Sequence, residues 1–120
     1  MKATEARALA IKFKQAVKDA GGCSIEIRCP MGNPTGERLQ QSLGIAGMTA
    51  NLVKVVATPP TGILIESSQQ CARIALSIQT AFRAVNMEAH LLVQNAPRPE
   101  IIVIHLNSPE PSKTAARARP

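Results

Sequence analysis

The residues best placed to do chemistry in this sequence are Cys29-Pro30-Met31-Gly32-Asn33-Pro34-Thr35-Gly36, which run from a strand end into a helix start. Free backbone N–H groups at a helix N-terminus attract anions, and α/β sheets often receive ligands at such a place. Gly32 and Gly36 would let a phosphate approach the backbone, with Arg38 close behind. Cys29, Gly32, Asn33, Thr35, Gly36 and Arg38 therefore form a candidate ligand-binding set. The spacing departs from the known phosphate loops, because Glu37 stands where a P-loop places its lysine, and there is no G-x-G-x-x-G. The plainer reading is a Pro/Gly-shaped loop whose Thr35 caps a helix.

Cys29 itself, near a helix N-terminus, could be held as a reactive thiolate. There is no C-x-x-C, and Thr35 occupies the place of the arginine in phosphate-binding cysteine loops. A buried inert thiol is the simpler expectation. Cys23 and Cys29 would lie roughly 20 Å apart along an extended segment, beyond disulfide reach. Three reduced cysteines in a cytoplasmic protein follow from that reading.

His90 and His105 are the two histidines. If the last two strands form a hairpin with Gln94 opposite Ile101, His90 faces His105, with Glu88 on the same face. Two imidazoles without a cysteine or carboxylate cluster make a poor metal site, and a one-residue slip separates them. No metal or cofactor is expected. Asp19 is the only aspartate beside seven glutamates, and no Ser-His-Asp or H-E-x-x-H arrangement can be read. Catalysis is unsupported.

The elements that must position these residues follow from hydrophobic period. Ala6, Leu9, Ala10, Phe13, Ala16, Val17 and Ala20 trace one face of a helix, with Thr4 as its N-cap and Gly21-Gly22 as its stop. A strand–helix–strand pattern then occurs twice, at 24–57 and 62–94, around Thr58-Pro59-Pro60-Thr61. In the first copy Ile25 and Ile27 alternate with Glu26 and Arg28, and a helix runs from Thr35 to about Ala46. In the second, Ser67 or Ser68 caps a helix carrying Cys71, Ile74, Ala75, Ile78, Ala81, Phe82 and Val85 on one face. A fifth strand, Glu100 to Leu106, is apolar on both faces, which suggests cover on both sides. Ile25, Ile27, Val53 and Val55 match Ile63, Ile65, Leu91 and Val93 at an offset of 38, while Leu39 and Leu43 match Ile74 and Ile78 at 35. The first copy thus reads as having the longer loop and the weaker helix.

This order predicts a two-layer α/β domain over residues 1–106: an N-terminal helix over 1–21, a doubled core of the ferredoxin-like split βαβ kind over 24–94, and an extra strand over 100–106. The alternative is a small open sheet with helices on both faces. Residues 107–120 read as a flexible basic tail.

Among 120 residues, 45% are hydrophobic, enough for one core, and Phe13 and Phe82 are the only Phe, Tyr or Trp residues. No window is long and apolar enough for a membrane span. The net charge of +6 is scattered, with Lys12, Lys14 and Lys18 on the first helix and Lys113, Arg117 and Arg119 in the tail. Those six residues are the candidate nucleic-acid contacts. Such binding would be weak and nonspecific, because the strands lack the aromatic platforms on which bases stack. The leading expectation is a non-catalytic binding or regulatory module acting as a homo-oligomer or on a protein partner, with the fifth strand, at a sheet edge, offering backbone groups to another chain.

Overall fold

A computed structural model describes residues 3–16, 22–32, 34–55, 62–94 and 98–106. Three helices, α1 (Ala3–Ala16), α2 (Thr35–Ile45) and α3 (Ala72–Ala84), cover one face of a five-stranded sheet. Its strands are β1 (Ser24–Pro30), β2 (Ala50–Val55), β3 (Ile63–Ser67), β4 (Ala89–Val93) and β5 (Ile101–Leu106). The two-layer α/β class expected from the sequence is the class observed. Ile25, Ile27 and Cys29 of β1, Ile63 and Ile65 of β3, and Ile102, Ile104 and Leu106 of β5 all enter one core with Leu9, Phe13, Leu39, Leu43, Ile78 and Phe82.

The strands lie in the order β2-β1-β5-β3-β4. Each strand–helix–strand unit closes on itself, β1 pairing parallel with β2 and β3 parallel with β4. No strand is interleaved inside either unit, so the path differs from the split βαβ plan. β5 takes the middle, parallel to β1 and antiparallel to β3. The two units are thereby related by an approximate two-fold axis perpendicular to the sheet. IIVIHL is apolar on both faces because a central strand is crowded by neighbours, not because a second helical layer covers it. Nor is β5 an edge: β2 and β4 are. The expected β4–β5 hairpin is likewise replaced, since β3 lies between the two strands.

α1 packs against both α2 and α3. Its apolar stripe does this work: Leu9, Ala10 and Phe13 are buried, and Phe13 meets Phe82 edge to face with ring centroids 5.6 Å apart. Ser42 of α2 places its hydroxyl 2.8 Å from the Ala6 carbonyl oxygen, tying α1 to the first unit. Thr4 lies inside α1 and not at its cap; Val17, Ala20 and the Gly21 stop fall outside the described residues. Thr35 opens α2 as its first residue, with Pro34 at the cap. Ser68 reaches α3 indirectly, its hydroxyl accepting the N–H of Cys71, the N-cap residue, at 3.4 Å.

The duplication is better kept than the apolar pattern indicates, at an offset of 39 from the helices onward. Gln40 donates its side-chain amide to the Ala50 carbonyl at 2.8 Å, and Gln79 to that of Ala89 at 2.9 Å. The N–H of Met48 reaches the Leu43 carbonyl, and that of Met87 the Phe82 carbonyl. Gly47 and Asn86, also 39 apart, both hold a positive φ where the helices end. Leu39 and Leu43 thus correspond to Ile78 and Phe82, not to Ile74 and Ile78. Since β1 and β3 keep the offset of 38, the strand-to-helix connection is one residue longer in the second copy.

Cys23 and Cys71 form a disulfide, with their Cα atoms 6.1 Å apart. The expectation of three reduced thiols therefore holds only for Cys29. The cause is topological: β1 runs opposite to β3, so the start of β1 lies level with the end of β3, on either side of the first half of β5. Disulfides are rare in reducing cytoplasm, so the ground for expecting a cytoplasmic location is lost. Among the described residues no helix is long and apolar enough to cross a membrane.

Closing a loop of 48 residues restricts the unfolded chain by about 4 kcal/mol in the entropic account. Urea unfolding with and without reductant should differ by about 2–4 kcal/mol; coincident curves would show that the bond adds nothing to stability.

Candidate functional site

The loop singled out by the sequence is a packing device at its two ends. Cys29 points into the core and is fully buried. A Cβ added to Gly36 would sit 2.7 Å from Cys29 Cβ and 2.8 Å from Leu52 Cδ1. Glycine is required there because α2 approaches β1 and β2 too closely for any side chain, not to admit a phosphate. Gly32 needs its glycine for a different reason, a φ of +84° with open space around it. Asn33 lies outside the described residues. Gly32 and Arg38 do share a shallow depression with Pro34, Glu37, Gln41 and Lys54, but Lys54 is committed to Glu37 at 2.5 Å and holds that carboxyl below its usual range. Thr35 opens the helix beside it. The structure thus brings Gly32 and Arg38 to one surface and separates Cys29 and Gly36 from it.

Of the candidate nucleic-acid residues, Lys12 is half-buried and Lys14 exposed on α1; Lys18, Lys113, Arg117 and Arg119 lie outside the described residues. His90 and His105 share a sheet face but do not meet. Both are register partners of Leu64, from opposite sides. Two strand spacings, about 9.5 Å, separate their backbones.

The face that carries them is the one without helices among the described residues, and it holds the arrangement that the sequence reading missed. Three adjacent central strands place side chains on it in rows: Glu26 beside Val103 beside Glu66, and Arg28 beside His105 beside Leu64. Leu92 and His90 extend the rows on β4. The charges pair within the face. Arg28 donates its Nε–H to Glu26 at 2.6 Å, and His105 Nε2 lies 2.6 Å from Glu66 Oε1, a diagonal cross-strand pair. Gln94 approaches the other oxygen of Glu66 at 3.4 Å.

At the end of this face where β3 finishes and β5 begins, the same side chains line a pocket of about 220 Å³ with an apolar floor of Ile101 and Val103. Glu26, Arg28, Glu66 and Gln94 form its sides and Arg98 its rim. The two glutamates stand on either side of Val103, roughly 9.5 Å apart at the backbone. Among the described residues no group of three or more His, Cys, Asp and Glu side chains could hold a metal ion. A pocket with a greasy floor and both signs of charge is suited to hold a small polar–apolar molecule or an end of a chain, by hydrogen bonds and contact. The available sequence signal was period-two alternation, which put Glu26 and Arg28 on one face; the strand order that adds Glu66 and His105 to them has no such signal.

No family model matches this chain, and neither a curated protein nor a solved structure is significantly similar to it.

Two consequences concern the loop. Gly36→Ala should destabilise the fold by about 1–3 kcal/mol through overpacking, while Gly44→Ala, with open space around it, should stabilise α2 by about 0.5–1 kcal/mol. Equal midpoints for both variants in denaturant would contradict the close approach. Cys29 is buried and burial pushes its thiol up, so a water-soluble maleimide at pH 7 should label it only after unfolding. Native-state labelling at the rate of a free thiol would refute that burial.

Proposed function

We propose that this chain is a non-catalytic binding module whose working surface is the uncovered sheet face, where it pairs with a second copy of itself or docks on a protein partner. One observation carries this reading. The face has an apolar centre in Val103, Ile101, Leu64 and Leu92, and its polar side chains already engage one another, Arg28 in an ion pair with Glu26 and His105 Nε2 within 2.6 Å of Glu66. Covering such a face removes apolar area from water. Paired charges desolvate at lower cost than lone ones. The edge-strand mode expected from the sequence gives way to a face mode, because the fifth strand is central.

Phosphate-backbone binding draws less support. On the open face the Arg28 guanidinium is engaged with Glu26, which leaves Lys12 and Lys14 on α1 among the described candidates. The Cys23–Cys71 bond favours work in an oxidising setting over the cytoplasm.

Light scattering after size exclusion should show a mass rising with concentration from 12.8 kDa toward twice that value. Val103→Lys should hold the chain as a folded monomer, because a lysine between Glu26 and Glu66 is compensated in the free protein but unwelcome in an apolar contact. A wild-type mass fixed at the monomer value across the concentration range would end the self-association reading. Nucleic-acid binding is checked by titrating single-stranded DNA at low salt, where no measurable binding is expected.

A further inference from the structure

Resting on the reading that the open face is the working surface, we propose that its pocket is a site for an α-carboxylate attached to an apolar side chain. Such a group is presented by a small aliphatic amino acid or by the C-terminal residue of a peptide. The volume, about 220 Å³, lies below the roughly 300–1,000 Å³ of sites for drug-sized ligands, which sets the ligand at amino-acid size.

The lining divides by chemistry. The Arg98 side chain on the rim is exposed and makes no hydrogen bond or ion pair among the described residues. Arg28 spends its Nε–H on Glu26, leaving its terminal N–H groups as donors. Two guanidinium groups beside one pocket suit a carboxylate, which they can bind in planar, charge-assisted fashion. Ile101 and Val103 supply the floor for an aliphatic side chain. Glu66 gives one oxygen to His105 at 2.6 Å, while among the described residues the other meets only the long 3.4 Å approach of Gln94. That oxygen retains acceptor capacity for the ligand's α-nitrogen N–H.

The turn that carries Arg98 and leads into Ile101 is fixed before any ligand arrives. Ser68 donates its hydroxyl to the Pro99 carbonyl at 2.6 Å. The Ser24 N–H reaches the Glu100 carbonyl at 2.8 Å, and the Ile101 N–H the Arg98 carbonyl at 3.1 Å. The disulfide flanks the same turn, with Cys71 Sγ 3.3 Å from the Pro99 oxygen. This sulfur bears no proton while oxidised, so it contributes contact and not a hydrogen bond. A preformed wall removes ordering cost from binding.

The test is an NMR titration of the oxidised full chain with four probes: leucine, N-acetyl-leucine, leucinamide and a tripeptide ending in leucine. Amide shifts should concentrate at residues 26–28, 66 and 98–103 for the carboxylate probes. Leucinamide should bind at least tenfold more weakly. Arg98→Gln should weaken the carboxylate probes by roughly ten- to a hundredfold, as loss of a charged hydrogen bond implies, with an unchanged unfolding midpoint. Saturation by leucine alone assigns the site to a free amino acid. Saturation by the acetylated or peptide probes assigns it to a chain terminus. Either supports the site. Absence of shifts up to ten millimolar, equal binding of leucinamide, or an Arg98→Gln variant that binds like wild type overturns it. None of these results bears on mass or on Val103→Lys, so failure of the pocket and failure of face-to-face association are separately visible.

Discussion

Everything in this fold depends on where β5 goes. A parallel strand–helix–strand unit has two open edges and one covered face, and two such units have no intrinsic reason to join. β5 satisfies the inner edge of both at once, pairing parallel with β1 and antiparallel with β3. That choice of directions sets the units head to tail and brings the start of β1 level with the end of β3. The level determines which side chains can meet: Cys23 with Cys71, Glu66 with His105, and the wall of the pocket with its floor. Ile25 and Ile102 are register partners across 77 positions of sequence, so the sheet cannot close until nearly the whole fold is available. Slow folding through non-local pairing is the usual consequence.

The elements themselves were legible, and so was the duplication, but its register was not. Apolar residues repeat every three or four positions, so a helix aligned one turn away still matches: Leu39 and Leu43 fit Ile74 and Ile78 as well as Ile78 and Phe82. The residues that fix the alignment are polar or conformational. Gln40 and Gln79 each bond the first residue of an outer strand, and Gly47 and Asn86 each end a helix at positive φ. The same geometry explains the unexpected disulfide and the absence of the β4–β5 hairpin that would have set His90 against His105. Proximity in sequence decides neither, because strand order sets neighbours in space and hydrophobic period contains no strand order.

The Cys29–Gly36 loop shows a second limit. Two glycines four residues apart read alike in sequence, yet one is demanded by positive φ and the other by a helix lying against Cys29 and Leu52. Neither demand is a ligand's. A loop at a strand–helix junction carries anion-site composition for purely steric reasons whenever the helix must pack closely on the strand it follows.

The two halves provide an internal comparison of what packing constrains. Most inward positions agree in kind: Ile25 with Ile63, Ile27 with Ile65, Leu39 with Ile78, Leu43 with Phe82, Ala50 with Ala89 and Leu52 with Leu91. Outward positions mostly do not: Glu26 stands against Leu64, Arg28 against Glu66 and Asn51 against His90, while Val53 and Leu92 are both aliphatic. Close packing explains the first set, since each inward residue faces an interior of fixed volume. It makes no demand on the second. The halves therefore differ on the face where the charges pair and the pocket opens, and are alike on the face that builds the core. A surface that must only be soluble has no need of Arg28 paired with Glu26 on one side of a shared central strand and of Glu66 meeting His105 on the other. The division of charge around Val103 is where the two copies have become most unlike each other.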